Sequence, residues 1–383
     1  MKKIKKYTSF FMVCSLICFF VSNLFIKNVD ASVELQAKSA ILMDENGNIL
    51  FEKNSNEKLS PASVTKTMTI LLAVEAVEEK RVNLDDLVSV SEHAYRQGGS
   101  QIWLETGEKM TFKNLLIATA VVSANDAAMA MMEYIYGDEE SAVSAMNQRA
   151  LALGLKNTHF SNVNGLPVEN HYMSAYDTAL IVKEAVKHDL YREVSSIKEY
   201  WLRDGKNWLV NTNKLLWWYE GADGLKTGWT EEAKYCFAGT AKRDSLRLIS
   251  VVFAAPEPRQ HLKESMKLLD WGFANYKAIQ AMQKNEAICE TNVSKGVKKK
   301  IILIAKDDIN ITIKKENKNQ LRKEVKVEEN ITAPVIAGEK YGEVYLYDET
   351  VCVGSTDLLA QENVERKNFF STITDLVEKL LLP

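Results

Sequence analysis

Hydrophobic periodicity changes several times along this 383-residue chain, and the order of the changes limits the possible fold classes. Residues 40–53 alternate like two short strands around the turn Asn46-Gly47-Asn48. A stretch from Ser60-Pro61 to Val77 is apolar on nearly every face, which predicts a buried central helix that begins near Pro61. Further helices are predicted at 112–136, 140–153, 174–190 and 264–276, and strands in WLVNT, YCFAGTAKR and LRLISVVFAA. Strands, a helical block and strands again indicate an α+β fold.

Beyond Tyr276 the pattern changes to strands that carry lysine or glutamate on alternate positions. KKKIILIA, INITIKK, KEVKVEE and Gly342–Val353 all have this period. It predicts a small separate β-domain with one solvated face, over residues 277–360. We interpret its lysines as that solvated face and not as a binding patch.

Residues 361–383 return to a helical period. Over 363–382, apolar side chains form one stripe opposite a charged face: Val364, Phe369, Phe370, Ile373, Leu376, Val377, Leu380 and Leu381. The segment is too short and too charged to span a bilayer. The pattern fits equally a helix that lies in a membrane interface and one that packs on its own domain.

The first thirty-one residues have the composition of a secretory signal. Four lysines at positions 2 to 6 precede an apolar stretch from Phe10 to Phe25, and Val29-Asp30-Ala31 offers small residues for cleavage after Ala31. A retained membrane anchor is the alternative. Cleavage would remove five lysines and one aspartate, and would change the formal net charge from −3 to −7. An acidic protein of this kind is a poor candidate for nucleic-acid binding.

Cysteine and histidine usage gives no support to a metal or a disulfide framework. Only Cys236, Cys289 and Cys352 follow the leader, and their spacing matches no zinc motif. A Cys289–Cys352 bridge stays open. The five histidines form no HExxH-type cluster, and no cofactor is predicted.

Three short motifs carry the candidate chemistry, in the order Ser63-Val64-Thr65-Lys66, Ser123-Ala124-Asn125 and Lys226-Thr227-Gly228. Each is weak alone, since a chain of this length contains about two Ser-x-x-Lys matches by chance at average composition. Ser195-Ser196-Ile197-Lys198 is another match, which we interpret as accidental. A helix cap, a snorkelling lysine or a strand-edge turn would explain each motif singly, so the combination carries the prediction.

The first motif suits an activated nucleophile. Residues three apart share one face of a helix, so the Lys66 amine can reach the Ser63 hydroxyl. A lysine acts as a base near neutral pH only if burial or a second cation lowers its pKa. The apolar helix would bury Lys66, and Lys226 would be the second cation. In the first helical turn the Ser63 N–H is free to bind an oxyanion, unless the Ser60 side chain caps it.

The order of the motifs resembles that of the penicillin-binding proteins and serine β-lactamases. LSPASVTKTMT, SANDAAMAM, LGLKNTHFSNVNGLP, GADGLKTGWT, LRLISVVFAAP and KLLDWGF resemble one branch, the D-alanyl-D-alanine carboxypeptidases, over essentially all of the chain after the leader. The resemblance implies a transpeptidase-like fold, with an antiparallel sheet flanked by helices and a helical subdomain. It divides the chain into a signal peptide (1–31), a catalytic domain (32–276), a β-domain (277–360) and a membrane-anchoring helix (361–383).

The resemblance also implies a role for each motif residue. Ser63 is the nucleophile, Lys66 its general base, and Ser123 with Lys226 relays the proton to the leaving amine. Asn125 binds the substrate peptide group, Thr227 binds its terminal carboxylate, and Gly228 lets the substrate strand lie close. The main-chain N–H groups of Ser63 and Trp229 form the oxyanion hole.

Two positions depart from the family pattern. The family commonly has an arginine ten residues before the aromatic residue of its last helix, and this chain has His261 there, with Arg259 two residues upstream. Either side chain could bind the substrate carboxylate, and His261 would make that binding pH-dependent. Asn164 occupies a loop position that is often histidine, and we assign it no function.

The resemblance implies a secreted enzyme on the outer face of the cytoplasmic membrane. It would remove the terminal D-alanine from peptidoglycan stem peptides, which limits cross-linking, and β-lactam antibiotics would inhibit it covalently. A β-lactamase, an endopeptidase of the same fold and a non-catalytic wall-binding protein are the alternatives.

Overall fold

The computed structural model describes residues 33–316, 321–348 and 350–368. From Gln36 onward they belong to one compact unit. The predicted leader and residues 369–383 of the predicted terminal helix lie outside the described residues. No helix within the described ranges has both the length and the hydropathy needed to cross a membrane.

In chain order, the strands are β1 (Ser39–Asp44), β2 (Ile49–Lys53), β3 (Leu87–Ser89), β4 (Lys109–Thr111), β5 (Glu199–Leu202), β6 (Asn207–Val210), β7 (Ala222–Thr230), β8 (Lys234–Arg243), β9 (Leu246–Ala255), β10 (Tyr276–Met282), β11 (Ala287–Asn292), β12 (Lys300–Ala305), β13 (Ile309–Lys314), β14 (Arg322–Val327), β15 (Lys340–Asp348) and β16 (Val351–Ala360). The helices are α1 (Lys66–Glu78), α2 (Glu92–Tyr95), α3 (Phe112–Val121), α4 (Asn125–Tyr136), α5 (Glu139–Ala152), α6 (Ala175–Ala185), α7 (Asp189–Ser196), α8 (Leu215–Trp218) and α9 (Gln260–Asn275), with a 3₁₀ turn at Ala62–Thr65.

An antiparallel five-stranded sheet in the order β2-β1-β9-β8-β7 organises the first domain. Helix α9 covers one face, where Gly272 lies against Leu42 and Leu248. The other face, with Val251, packs against the main helical core. Because both faces are covered, β9 is buried at nearly every position instead of at alternate ones. The prediction of an antiparallel sheet flanked by helices is confirmed.

Helix α1 lies at the centre of the helical part. Ten of its thirteen residues are buried, as its apolar sequence predicts. The helix begins later than predicted, because Ala62 has a φ of 47° and the Val64 N–H bonds to the Pro61 carbonyl. The Ser60 side chain makes no cap bond at this turn, so it does not compete for the Ser63 N–H.

Two predicted helices are divided in the structure. Residues 112–136 form α3 and α4, separated at Ser123, whose φ of 62° is incompatible with a continuous helix. Residues 174–190 contain α6 and the start of α7, separated by a turn at Val186–His188. Apolar periodicity continued across both breaks, which is why it did not reveal them.

The β-domain contains a sheet of order β11-β12-β16-β15-β14 and the pair β10-β13. Strand β12 buries alternate residues, including Ile301 and Leu303, and exposes lysine and isoleucine on the other face. The predicted all-β domain with a solvated face is therefore present. Cys289 and Cys352 carry free thiols, so the two do not pair.

The start of the predicted terminal helix is wrong. Val364 is buried in the core of the β-domain and pairs with Val335 in an isolated bridge. Arg366 pairs in the same way with Gly296. Residues 363–368 are thus extended chain that completes the β-domain, and an apolar residue at 364 fits a bridge as well as a helix stripe.

Candidate active site

Ser63 and Lys66 face each other across the 3₁₀ turn. The Lys66 Nζ donates to Ser63 Oγ at 3.0 Å and to the Asn164 carbonyl at 2.8 Å. Lys66 is fully buried, whereas Ser63 lines an open cleft. A nucleophile and its base are therefore within hydrogen-bond reach of each other, with only the nucleophile accessible to substrate.

Burial sets the protonation of both lysines in the site. It lowers the pKa of Lys66 well below its usual range, and the nearby charge of Lys226 lowers this pKa further. Burial also lowers the pKa of Lys226 to about 7. The Lys226 Nζ donates to the Thr227 carbonyl at 3.2 Å. Both effects on the Lys66 pKa favour the neutral amine, which is the form that can act as a base.

Two glycines bring other segments against the turn that carries Ser63. A Cβ on Gly228 would lie 2.9 Å from both the Pro61 carbonyl oxygen and the Ser63 nitrogen. A Cβ on Gly165 would lie 1.9 Å from the Ala62 carbonyl oxygen, at a φ of 86°. Strand β7 therefore runs directly beside the Ser63 N–H. Position 228 therefore requires glycine because of its contact with the Pro61–Val64 main chain, and not only because of substrate approach.

Ser123 and Asn125 present polar atoms to the site. Asn125 Nδ2 donates to the Gly98 carbonyl at 2.6 Å. Asn125 Oδ1 and Ser123 Oγ are buried without a hydrogen-bond partner among the described residues. The Asn125 oxygen therefore keeps its capacity to accept a hydrogen bond. The Ser123 hydroxyl bonds to neither lysine here, so a relay would form only with substrate present.

These groups border a cleft of about 410 Å³. Its lining residues include no carboxylate: Ser63, Ser100, Ser123, Thr212, Lys214, Thr227, Gly228, Trp229, Tyr235, Pro258, Arg259, His261 and Leu262. The Thr227 hydroxyl donates to the Thr212 hydroxyl at 2.8 Å. A cleft lined by cations and hydroxyls is complementary to an anionic ligand.

His261 and Arg259 have different environments. His261 is only 7% exposed and stacks on Tyr235 with ring centroids 5.5 Å apart. Burial lowers the pKa of His261 to about 4, so the ring is neutral at neutral pH. Arg259 is exposed at the start of α9, with its guanidinium 5.9 Å from the Trp218 ring centroid. Only Arg259 of the two offers a positive charge to the cleft.

Among the groups in the site that the sequence did not predict, two bear directly on its charge and chemistry. Lys214 lines the cleft, and its Nζ donates to the Asn211 carbonyl at 3.0 Å and lies 4.7 Å from the Trp217 ring centroid. The other is the Asn164 carbonyl, which binds Lys66 although the Asn164 side chain was given no function. Lys214 belongs to no motif, and a main-chain carbonyl has no signature in a sequence.

Other candidate clusters are explained by packing. Ser195, in the second Ser-x-x-Lys match, is buried and donates to the Asp223 carbonyl at 3.2 Å. Among the described residues, one group could in principle hold a metal ion: Glu75, Glu184 and His188. The Arg149 guanidinium already bonds to both glutamates, at 2.6 and 3.0 Å. Ion pairing accounts for that group.

Comparison with known proteins agrees with this geometry. Residues 26–257 match the model of the D-alanyl-D-alanine carboxypeptidase family, and residues 276–366 match the C-terminal domain of penicillin-binding protein 5. The chain is 42% identical over 341 residues to D-alanyl-D-alanine carboxypeptidase DacF of Bacillus subtilis, with 88% of each chain covered.

Solved structures give the same result. Penicillin-binding protein 5 of Haemophilus influenzae is 31% identical with a TM-score of 0.78, covering 87% of this chain and 98% of that one. Penicillin-binding protein D2 of Listeria monocytogenes, solved in an ampicillin-bound form, is 31% identical with a TM-score of 0.58, covering 63% and 99%. The chain therefore belongs to the D-alanyl-D-alanine carboxypeptidase family.

Proposed function

We propose that the protein is a serine-type D-Ala-D-Ala carboxypeptidase that removes the terminal D-alanine from peptidoglycan stem peptides. The observation that carries this proposal is the 3.0 Å bond between Lys66 Nζ and Ser63 Oγ, with Lys66 buried. The activity named for the Bacillus subtilis relative, which matches over most of both chains, supports it.

Acylation begins with proton transfer from Ser63 to the neutral Lys66 amine. Ser63 Oγ attacks the carbonyl carbon between the two terminal D-alanines, and the carbonyl oxygen becomes an oxyanion. The N–H groups of Ser63 and Trp229 stabilise this oxyanion, since β7 runs beside Ser63. Asn125 Oδ1 accepts a bond from the substrate backbone.

The tetrahedral intermediate then breaks its C–N bond. The leaving D-alanine amine takes a proton through Ser123, which Lys66 or Lys226 resupplies. The product is an ester between Ser63 and the shortened peptide. Water hydrolyses this ester, with its proton accepted by the same amine system, and Ser63 is regenerated. No metal or cofactor takes part in these steps.

Cations in the cleft bind the terminal carboxylate of the substrate. The Thr227 hydroxyl turns from Thr212 and donates its hydrogen to the carboxylate, while Arg259 and Lys214 supply charge. Neutral His261 supports Tyr235 by stacking and takes no part as a cation. Charge-assisted hydrogen bonds of this kind are worth about 1.5–3 kcal/mol each.

A β-lactam would acylate Ser63 as the substrate does and would inhibit the enzyme. The ampicillin-bound form of the Listeria protein supports this step. The similarity to named carboxypeptidases gives no reason to prefer a β-lactamase, an endopeptidase or a non-catalytic wall-binding protein.

We further propose that the protein is secreted and held at the outer face of the cytoplasmic membrane. The leader-like composition of residues 1–31 and the amphipathic pattern after residue 368 support this location. Because Val364 belongs to the β-domain core, the anchoring part begins after residue 368.

The nucleophile can be tested by intact-mass spectrometry after incubation with benzylpenicillin. We expect one covalent adduct on the wild type and none on Ser63→Ala. Ser195→Ala, in the second Ser-x-x-Lys match, is the matched control and should keep the adduct. An adduct on Ser63→Ala would remove Ser63 from its role.

The role of Lys226 can be tested with Lys226→Met. Loss of its amine removes part of the proton relay, so we expect acylation at pH 7 to slow by about a hundredfold or more. It also removes a positive charge that lowers the pKa of Lys66, so the residual rate should require a higher pH than in the wild type. The measurement is the pH dependence of benzylpenicillin acylation, with Lys242→Met as the control. A pH profile that superimposes on the wild type would contradict this role.

Carboxylate binding can be tested with Lys214→Gln and Arg259→Gln. We expect each to lower kcat/KM about tenfold or more on a peptide that ends in free D-alanine, because a charge-assisted bond is lost. On a peptide whose C-terminus is an amide, each variant should have nearly the same kcat/KM as the wild type has on that peptide. His261→Phe, which keeps the ring, should leave the pH dependence between 5 and 8 unchanged. Equal losses on both peptides would exclude a carboxylate subsite.

The anchor can be tested with two truncations. A chain that ends at residue 368 should be active and appear in the soluble fraction of cells that retain the full-length protein on membranes. A chain that ends at residue 362 should also lose stability, because it lacks the buried Val364. Membrane retention of the first truncation would make the anchor assignment wrong.

A further inference from the structure

Three tryptophans that take no part in the proposed reaction are exposed to solvent. Trp103 is 76% exposed, Trp201 58% and Trp208 55%. Leaving such large apolar side chains in water forgoes the free energy of their burial. A cluster of exposed aromatic residues therefore indicates an interaction surface.

Trp201 and Trp208 form a stacked pair on the β5-β6 hairpin. They are direct partners across the two strands, and their ring centroids lie 6.0 Å apart at an interplanar angle of 19°. The alternate residues, Leu202 and Leu209, are buried. The hairpin is thus anchored by one face and displays two nearly parallel rings on the other.

Arg203 joins this hairpin to the segment that carries Trp103. Its guanidinium donates to the Ile102 carbonyl at 2.9 Å and to the Trp103 carbonyl at 3.2 Å. It also forms an ion pair with Glu108 at 2.9 Å. These bonds hold the hairpin against the main chain of Trp103, and we call the three exposed residues together the tryptophan surface (Trp103, Trp201 and Trp208).

Hydrogen bonds link the segment that carries Trp103 to the second catalytic motif. The Asn125 N–H bonds to the Ser100 carbonyl at 2.7 Å, and Ser100 lines the active-site cleft. The Asp126 carboxylate accepts bonds from the N–H groups of Ile102 and Leu104. Trp103 lies between these two anchored residues, three positions along the chain from Ser100 in the cleft lining.

A groove of about 390 Å³ adjoins Trp103, a volume within the range of small-ligand sites. Its lining combines two aromatic rings with polar and charged side chains: Tyr95, Arg96, Gln101, Trp103, Leu104 and Glu105. Flat rings beside donors and acceptors suit a sugar, whose C–H face stacks on an indole while its hydroxyl and acetamido groups form hydrogen bonds. The groove carries both Arg96 and Glu105, so it has no excess of positive charge that would attract an anionic lipid surface.

We propose that the tryptophan surface and this groove bind the glycan strand of peptidoglycan. The inference rests on the proposed function, because the stem peptide is covalently attached to that glycan. A five-residue stem extends at most about 17 Å, so the sugar must lie near the cleft while the peptide is cut. Binding of the glycan beside the Ser123-Ala124-Asn125 motif would select polymeric substrate over free peptide.

The test uses the full chain and two probes, a chitin hexasaccharide and peptidoglycan glycan strands from which an amidase has removed the peptides. Calorimetry should detect binding of both probes by the wild type. Trp103→Ala and the double variant Trp201→Ala/Trp208→Ala should each weaken binding about tenfold or more. Leu151→Ala, which removes an equally exposed apolar residue on α5, should bind normally.

Activity separates a binding role from a structural one. The tryptophan variants should keep wild-type kcat/KM on a short peptide ending in D-Ala-D-Ala, and should turn over polymeric peptidoglycan about tenfold or more slowly. Absence of glycan binding by the wild type would overturn the proposal, as would unchanged binding in the variants or equal activity losses on both substrates. Tryptophan-dependent binding to vesicles of anionic phospholipid without glycan binding would also overturn it. If the wild type forms no adduct with benzylpenicillin at Ser63, the proposed function fails. Glycan binding is measured separately by calorimetry, so its result does not depend on that experiment.

Discussion

The burial of the Lys66 amine is the constraint on which the site depends. A buried ammonium group would lose several kcal/mol of hydration, so burial lowers the pKa of Lys66 and favours the neutral amine. The protein achieves this by placing Lys66 at the start of a helix that is apolar on almost every face, behind a turn that leaves only Ser63 accessible. Lys226 on strand β7 is also buried, and burial lowers its pKa to about 7. Two buried lysines reduce stability below their normal pKa, because folding then requires either deprotonation or a buried charge. The need for a neutral amine in the reaction thus explains why the fold keeps two buried lysines that lower its stability.

The second requirement is close approach of main chains around Ser63. Gly228 and Gly165 allow a strand and a loop to contact the Ala62–Thr65 turn, and a side chain at either position would collide with main-chain atoms. The loop also places the Asn164 carbonyl on Lys66 and is held by His171. The Ser161 N–H donates to His171 Nδ1, so the neutral ring must donate from Nε2 to Thr65 Oγ1. Burial lowers the pKa of His171 to about 4, which agrees with that neutral form. Two glycines and a neutral histidine therefore position the turn that carries Ser63, although their side chains take no part in the reaction.

Periodicity and motif order predict much of this structure. The α+β class, the β-domain and the pairing of Ser63 with Lys66 follow from residue spacing, and the family resemblance implied the antiparallel sheet flanked by helices. The structure differs from the prediction where contacts between segments that are distant in the sequence determine the local conformation. The turn before Lys66 is 3₁₀, and two glycine-containing segments pack closely against it. Strand β9 is buried on both faces because α9 covers the second one. Val364 belongs to the β-domain because it pairs with Val335 in an isolated β-bridge. Lys214 reaches the cleft through a loop whose conformation no local pattern determines.

Asn125 and Asp126 connect the catalytic and glycan-binding proposals. These consecutive residues bind four points on the segment 98–104, at Gly98, Ser100, Ile102 and Leu104. The oxygen of the same Asn125 side chain is buried without a hydrogen-bond partner among the described residues. Because its amide nitrogen is committed to Gly98, the orientation of that oxygen depends on where the segment lies. A sugar that packs against Trp103 would restrain the segment and hence the group that receives the stem peptide. Glycan binding would then favour acylation by positioning Asn125 as well as by raising the local concentration of peptide, and the benefit would be absent for free peptides.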